Sequence, residues 1–409
     1  MGSNSIAVSD IRDTNRKIVL RAVWRFQPVS RADLSRYTRI NKASISSIVA
    51  GLIEEGLVRE ERSESTQVGR TPYELTIAND GKAFLAVDVR PRRVTVALYN
   101  LSGSRLAMSV LKPGQRTRHP SALLEAICGE LVQLCESNRI KPQKVAAIGM
   151  AVPGQVDRHS GTVIRAPILD WVDLDVQDTF GRLFPRASIE VDNSAILAFR
   201  AEHHKGHSLP DTFTGVYLDI NETVQTARML DGKTIGYNNM GSFGRMRVIV
   251  DGDKVGKALE ELISLPALLE AFRGPSRRKR GNPRAELLKL KEAYLDGDPL
   301  ARDAVEREAE WLAIGISNIF LTLGLPAVVV GGHIRAIWDL LQETVFMRCA
   351  TLTDGQFPGR HEIRLSSLAE LETLEGAALA AIGTIIPLDL ISMLTNTQKQ
   401  IIESRVAVR

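Results

Sequence analysis

The chain has 409 residues, more than one hydrophobic core normally serves, so two or three domains are expected. Its 44% hydrophobic and 24% charged residues are ordinary for a soluble globular protein, and a net charge of +4 is too small to imply a nucleic-acid partner by itself. The three cysteines, Cys128, Cys135 and Cys349, form no C-x-x-C pair, and their odd number argues against a disulfide framework and for a reducing, cytoplasmic setting. No stretch approaches the roughly 18 apolar residues of a membrane span, and the opening "MGSNSIAVSDIRD" has no apolar run of a signal peptide, so no membrane partner is expected.

Three short helices are legible first. "DIRDTNRKIVLRAVWRFQ" sets Ile11, Ile18, Val19, Ala22, Val23 and Phe26 at helical spacing on one face. "SRADLSRYT" starts on an N-cap, Ser30, with Asp33 in the capping-box position. "NKASISSIVAGLIEEG" starts on Asn41, turns Ile45, Ile48, Val49, Leu52 and Ile53 inward, and stops at Gly56. Two strand patterns follow, "LVREER" and "YELTIA", with the polar stretch "SESTQVGRTP" between them.

This order is that of a winged helix-turn-helix, over residues 1–80. Charge supports it: between Asp10 and Ile48 nine Lys/Arg face three acids, a local +6 that exceeds the whole chain's +4. Such an excess is the footprint of phosphate binding. The third helix leaves Lys42, Ala43, Ser44, Ser46 and Ser47 on its outer face, short groups that let a helix approach base edges. Arg31 and Arg70 complete the expected DNA-binding set. Arg70, in "VGRTPYEL", suits insertion into a minor groove, although an ordinary wing turn explains it equally well. A small protein-interaction domain with a solvated basic face is the weaker alternative.

From Lys82 the pattern changes. "AFLAVDVRPRRVTVALYNLSG" reads as two adjacent strands, Phe84–Val89 and Val94–Tyr99, joined by a basic turn. An amphipathic helix, "HPSALLEAICGELVQLCESNRI", follows, then the buried strand "KVAAIGMAVPGQVD" with its Pro-Gly loop. Strands then alternate with helices, an α/β architecture with mixed sheets.

Several stretches together resemble the ROK family of repressors, open reading frames and sugar kinases, in its regulator branch. "PVSRADLSRYTRINKASISSIVAGLIEEGLV" resembles its DNA-binding segment, and "AIGMAVPGQVDRHSGTVIRAPILDW" its G-x-x-x-P-G-x-V-D…A-P-N-L-x-W block. "VDNSAILAFRAE" resembles V-E-N-D-A-N-x-A-A-x-A-E, "IGISNIFLTLGLPAVVVGGHI" the late helix and glycine loop, and "LEGAALAAI" the closing helix. The resemblance implies a two-lobed α/β body of the actin, hexokinase and sugar-kinase type. Its N-terminal lobe would span 81–195 and its C-terminal lobe 196–387. The segment 388–409 has a helical pattern that reads as a further helix packing back on the body or head, or equally as a frayed terminus.

Departures from the family pattern decide the expected function. Phosphate cradles need glycine, because only glycine lets backbone N–H groups approach so closely. The family's D-I-G-G-T turn reads "VDVRPRRVTVAL" here, keeping Asp88 but placing Arg90, Pro91 and Arg92 in the turn. Its second glycine run reads "YLDINETVQTARMLDG", with no glycine between Tyr217 and Asp231. Ser194 occupies the catalytic aspartate's position, and a hydroxyl cannot take the sugar's proton unaided. Asp192 could replace that base only by rearrangement, because it lies two residues back along an extended chain. The sugar-binding amide of A-P-N becomes Ile168, and the G-E-x-G-H-M segment becomes "GSFGRM", with Ser242 for Glu and Arg245 for His. The family's zinc-binding cysteines are missing as well.

The expectation is a DNA-binding transcriptional regulator, a repressor, with a non-catalytic body. Its partners are double-stranded operator DNA, a second copy in a homodimer, and a small sugar-like or acidic effector. Pro153, Gly154, Ile168, Asn193, Ser194, Ser242 and Arg245 are the candidate ligand-binding residues. No cofactor, no metal and no catalytic residue is expected. The rivals are a divergent ATP-dependent sugar kinase using Asp192 and a constitutive DNA-binding dimer without an effector. Three further features read as structural. The basic run 273–284 is a solvated loop, the histidines at 203, 204 and 207 an exposed helix end, and Arg245 a residue pairing with an acid in the old zinc space.

Overall fold

The computed structural model describes residues 8–62, 73–114, 119–206, 209–210, 212–235, 243–249, 255–274, 283–324, 327–354, 363–368 and 371–388. Arg70, Ser242, His207, most of the basic run (275–282) and the tail beyond 388 lie outside them. The described residues form two compact units. One draws on 1–150, 175–191 and 377–409, the other on 151–174 and 192–376. Each unit is thus assembled from non-contiguous stretches, whereas the boundaries at 80, 195 and 387 mark changes of sequence pattern.

The first unit opens with α1 (Val8–Phe26), α2 (Arg31–Thr38) and α3 (Lys42–Glu54). The caps follow the sequence: Ser30 Oγ accepts from Asp33 N–H and Asn41 Oδ1 from Ser44 N–H, satisfying amides with no partner within the helix. β1 (Val58–Arg62) and β2 (Tyr73–Ile77) pair antiparallel as the wing, and Val29 adds a short bridge to Leu75. Val19, Val23, Leu34, Ile45, Val49, Leu52 and Leu75 close a small core. Two residues expected inside it are not: Ile11 is 50% exposed near the start of α1, and Ile53 is 37% exposed at the end of α3.

The same unit contains a five-stranded sheet in the order β10-β6-β3-β4-β5. Here β3 is Ala83–Arg90, β4 Arg93–Asn100, β5 Arg105–Leu111, β6 Val145–Val152 and β10 Ser188–Asn193. The two expected strands are therefore joined by a third, "RLAMSVL", which pairs with β4 to make a three-stranded meander. Within this unit the winged segment is tied to the sheet. Trp24 Nε1 donates to the Leu101 carbonyl (3.2 Å), Ser102 N–H to Asn79 Oδ1 (3.1 Å), and Arg21 Nη1 to the Pro387 carbonyl (3.3 Å).

The second unit carries the sheet β13-β12-β11-β16-β17. Its strands are β11 (Gly215–Ile220), β12 (Val224–Leu230), β13 (Lys233–Ile235), β16 (Val328–Gly332) and β17 (Ile363–Leu365). β11 pairs antiparallel with β12 and parallel with β16. One face of β11 and β16 packs against α10 (Pro299–Leu323) and α11 (Trp338–Leu352) through Val216, Leu218, Leu312, Ile316, Val328 and Val330. The other face packs against α6 (Ser194–Lys205) through Tyr217, Val329 and Phe199. A three-stranded sheet of β7 (Gln155–Asp157), β8 (Thr162–Ala166) and β9 (Trp171–Asp175) completes the parts used below.

Candidate functional site

In the winged segment, α3 has one buried and one open side. Ile45, Val49 and Leu52 are fully buried, whereas Lys42, Ala43, Ser46 and Ser47 are exposed and Ser44 is half-buried. Those five outward residues therefore share the face the pattern gave them. Arg31 does not join them as a free cation. Its Nε and Nη2 donate to both Glu60 carboxylate oxygens at 2.7 and 2.8 Å, and its Nη1 reaches the Ser46 carbonyl at 3.3 Å. The pair with Glu60 raises the Arg31 pKa further above its ordinary value. Arg31 thus links α2, α3 and the wing.

Other basic residues of this segment are similarly occupied: Arg16 by Glu55, Lys17 by Asp13, Arg36 by Asp33 and Arg59 by Asp80. Arg39 is different. It is exposed, adopts φ 59° in the turn between α2 and α3, and has no ion pair among the described residues. It sits three residues before Lys42, which is also exposed, so two open cations lie at the start of α3. In the sequence Arg39 counts only as charge, although its place in the helix-turn-helix turn marks it as a further candidate.

At the two turns where the family resemblance places phosphate cradles, side chains form hydrogen bonds and an ion pair. In the first turn, Arg90 Nε donates to Asp88 Oδ2 at 3.0 Å, and Asp88 is only 2% exposed. At the second, Asn221 follows β11. Its Nδ2 donates to Asp219 Oδ1 (2.7 Å), its Oδ1 accepts from the His333 N–H (3.0 Å), and its carbonyl accepts from Leu265 N–H (2.9 Å). Glu372 Oε1 accepts the Gly332 N–H at 3.2 Å. Gly331 is retained for packing, since a Cβ there would lie 1.9 Å from the Tyr217 hydroxyl. Burial, aided by Glu372 and Asp219, pushes that hydroxyl's pKa well above its usual value.

At the strand–helix junction, Asn193 caps α6: its Oδ1 accepts from Ala195 N–H (2.9 Å) and Ile196 N–H (3.4 Å). Its Nδ2 donates to the Gly154 carbonyl at 2.7 Å. Gly154 is pressed so closely on β8 that a Cβ would lie 2.5 Å from the Arg165 carbonyl oxygen. Asp192 is buried and salt-bridged to Arg158 Nε at 3.0 Å. Ser194, the first residue of α6, is buried and is not on the pocket wall.

That pocket, about 400 Å³, lies wholly within the second unit. Of the candidate ligand-binding residues, Pro153, Gly154, Ile168, Asn193 and Arg245 line it. Gln155, Arg165, Thr223, Gln225, Thr226 and Glu260 also line it and were missed. None occupies a fixed position of a motif; β7, β8, β12 and the short helix at Glu260–Ile263 bring them together. Arg245 is 3.9 Å from Glu260, a long contact for a side chain 65% exposed.

His203 and His204 are buried, not at an exposed helix end. The end of α6 is anchored by Glu202, which is fully buried and accepts from Ser366 Oγ (2.8 Å), Ser367 N–H (2.9 Å) and Ser367 Oγ (2.8 Å). Among the described residues no group of three or more His, Cys, Asp or Glu is placed to hold a metal. Nor is any described helix long and apolar enough to cross a membrane.

The ROK family model matches residues 84–383. The chain belongs to the ROK family. A second model, the MarR family, matches residues 10–67, the winged segment. This ROK protein is 23% identical over 362 residues to a xylose repressor of Caldicellulosiruptor bescii, covering 84% of this chain and 88% of that one. It is 25% identical over 248 residues to the DNA-binding transcriptional dual regulator NagC of Escherichia coli K12, covering 60% of each. Among solved structures, a ROK family transcriptional regulator described as a homolog of the E. coli MLC protein superposes with a TM-score of 0.74 at 20% identity. That match covers 93% of this chain and 99% of the other. A Streptomyces griseus ROK glucokinase matches at 0.59 and 19% identity, covering 73% and 99%. A winged DNA-binding head on a ROK body makes this protein a transcriptional regulator of the family.

Proposed function

We propose that the protein represses transcription as an operator-bound homodimer, and that its ROK body binds a small effector without transferring phosphate. The observation that carries this reading is the Asn221 network. Asn221 and His333 satisfy each other where a kinase needs free glycine amides for nucleotide phosphates, and Arg90 on Asp88 closes the first turn likewise. Asp192 is a poor substitute base because Arg158 holds its carboxylate. The open 400 Å³ pocket supports a retained binding role. The exposed start of α3 would read the major groove, with Lys42, Arg39 and the serines at the DNA, and Arg70 would serve the wing. Two heads in a dimer would match two half-sites of a palindromic operator. The three unpaired, buried cysteines fit a reducing cytoplasm.

The test is fluorescence anisotropy of the full-length protein with DNA from upstream of its own gene. Tight, salt-dependent binding that exceeds binding to a scrambled duplex is expected. Equal affinity for both duplexes would refute the operator reading.

A further inference from the structure

One strand of the first unit is built like an unfinished sheet edge. β5 ends the order β10-β6-β3-β4-β5, so one row of its backbone N–H and C=O groups has no neighbouring strand among the described residues. Successive side chains alternate between the two faces of a strand. Ser109 turns to α4 (Pro120–Ser137), where its Oγ donates to Glu130. Leu106, Met108 and Val110 share the opposite face and are 51%, 46% and 44% exposed. Three large apolar groups at every second position of an edge strand are a liability unless something covers them. The charge around them has one sign. From Val89 to Leu124 the sequence holds seven Lys/Arg and no Asp or Glu. Arg90 faces Arg93 across the β3–β4 ladder, and Val94 pairs with Leu111, which brings Lys112 beside Arg93. Like charges set opposite each other are destabilising. Asp88 neutralises Arg90 at 3.0 Å, but Arg92, Arg93 and Lys112 have no ion pair among the described residues. At the other end of β5, Arg105 is exposed.

We propose that β5 is a docking edge for an extended segment of a partner protein, alternately apolar and acidic at its ends, which adds to the sheet as a further strand. The open backbone groups of β5 pair with it, and Leu106, Met108 and Val110 pack against its apolar side chains. Arg92, Arg93 and Lys112 receive its carboxylates. Charge selects this occupant over two others. A second copy paired antiparallel on this edge would set cation against cation. The chain's own last residues, "SRVAVR", alternate in the same way but carry Arg405 and Arg409 and no acid. DNA phosphates or an anionic lipid surface would meet the cations but leave the strand's backbone groups without partners.

The experiment is selection from a displayed library of random peptides, each about ten residues long to span one strand, with the full-length protein as bait. The best peptide is then titrated by anisotropy against the parent, Met108→Asp and Arg93→Glu. Selected sequences should alternate apolar residues and carry Asp or Glu at their ends. Each substitution should weaken the best peptide at least about tenfold, the loss of an anchoring contact. Both variants should bind operator DNA as the parent does, which also shows that they are folded. The bound peptide should slow amide hydrogen exchange across 105–111. Peptides that bind both variants as tightly as the parent overturn the proposal, and so does a library that yields no binder. Dissociation into monomers caused by Met108→Asp, seen in sedimentation velocity, would give the edge to a second copy. Met108-dependent pelleting with phosphatidylglycerol vesicles, without peptide binding, would give it to a membrane surface. Either result overturns the acidic-segment assignment.

Discussion

Arg31 offers the sharpest test of how the winged segment works. Two roles are open to an arginine there, phosphate contact and internal tie, and the fold favours the tie. The Arg31–Glu60 pair is bidentate at 2.7 and 2.8 Å, with side chains 32% and 24% exposed. That places it between surface pairs worth about 0–1 kcal/mol and buried pairs whose rupture costs about 3–5 kcal/mol, so about 1 kcal/mol of coupling is reasonable. The tie fixes α3 against β1, because the same guanidinium reaches the Ser46 carbonyl. Glu60→Gln and Arg31→Gln should each weaken operator binding about fivefold, the equivalent of about 1 kcal/mol. The double variant should be little worse than either single one. Anisotropy titrations at several KCl concentrations decide the mechanism. A lost phosphate contact lowers the salt slope by about one, whereas a lost tie leaves it unchanged. Tighter binding by Glu60→Gln, together with a lower slope for Arg31→Gln, would refute the tie.

Other perturbations follow from the second unit. Gly331→Ala drives a Cβ into the Tyr217 hydroxyl and should cost about 1–3 kcal/mol in urea unfolding; a neutral result would mean that β11 and β16 separate easily. Glu308, in α10, is buried at 2% exposure with Oε1 unpartnered, and burial alone raises its pKa well above 4.5. The unfolded chain releases this proton near its ordinary pKa, so stability should fall as pH rises above that value, by up to about 1.4 kcal/mol per pH unit. Glu308→Gln should flatten that fall in melting curves taken between pH 5 and 8, and an unchanged slope would count against a neutral buried carboxyl. Ser194→Asp restores a carboxylate at the position of the family's catalytic aspartate, yet a coupled assay with ATP and a hexose panel should stay at background. Turnover by that variant would show that the occupied phosphate turns are no obstacle.

What the sequence made legible was local. The caps at Ser30 and Asn41, the helical periodicity of α1–α3 and the wing strands all depend on neighbours within a few positions, and the fold has them there. The missing glycines at both phosphate turns were equally plain, because a residue type alone decides that question. Partners distant in sequence were not. Glu60 is 29 residues from Arg31, and Ser366 is 164 from Glu202, so neither the tie nor the buried end of α6 leaves a pattern. His203 and His204 looked exposed because polar residues at a helix end usually are, whereas tertiary packing buries them. The pocket was half legible. Its Pro153-Gly154 and Asn193 elements belong to a motif, but Arg165 and Gln225 are joined to them only by the topology of β7, β8 and β12.

Side-chain hydrogen bonds at both turns imply that this ROK body binds no nucleotide. Titrating Mg·ATP calorimetrically into the full-length protein, with and without saturating hexose, tests it most directly. No saturable heat and no ADP formation are predicted up to millimolar nucleotide, with the Asn221–His333 network closing the second turn and Arg90 the first. A saturable isotherm in the micromolar range accompanied by sugar phosphorylation would contradict the account.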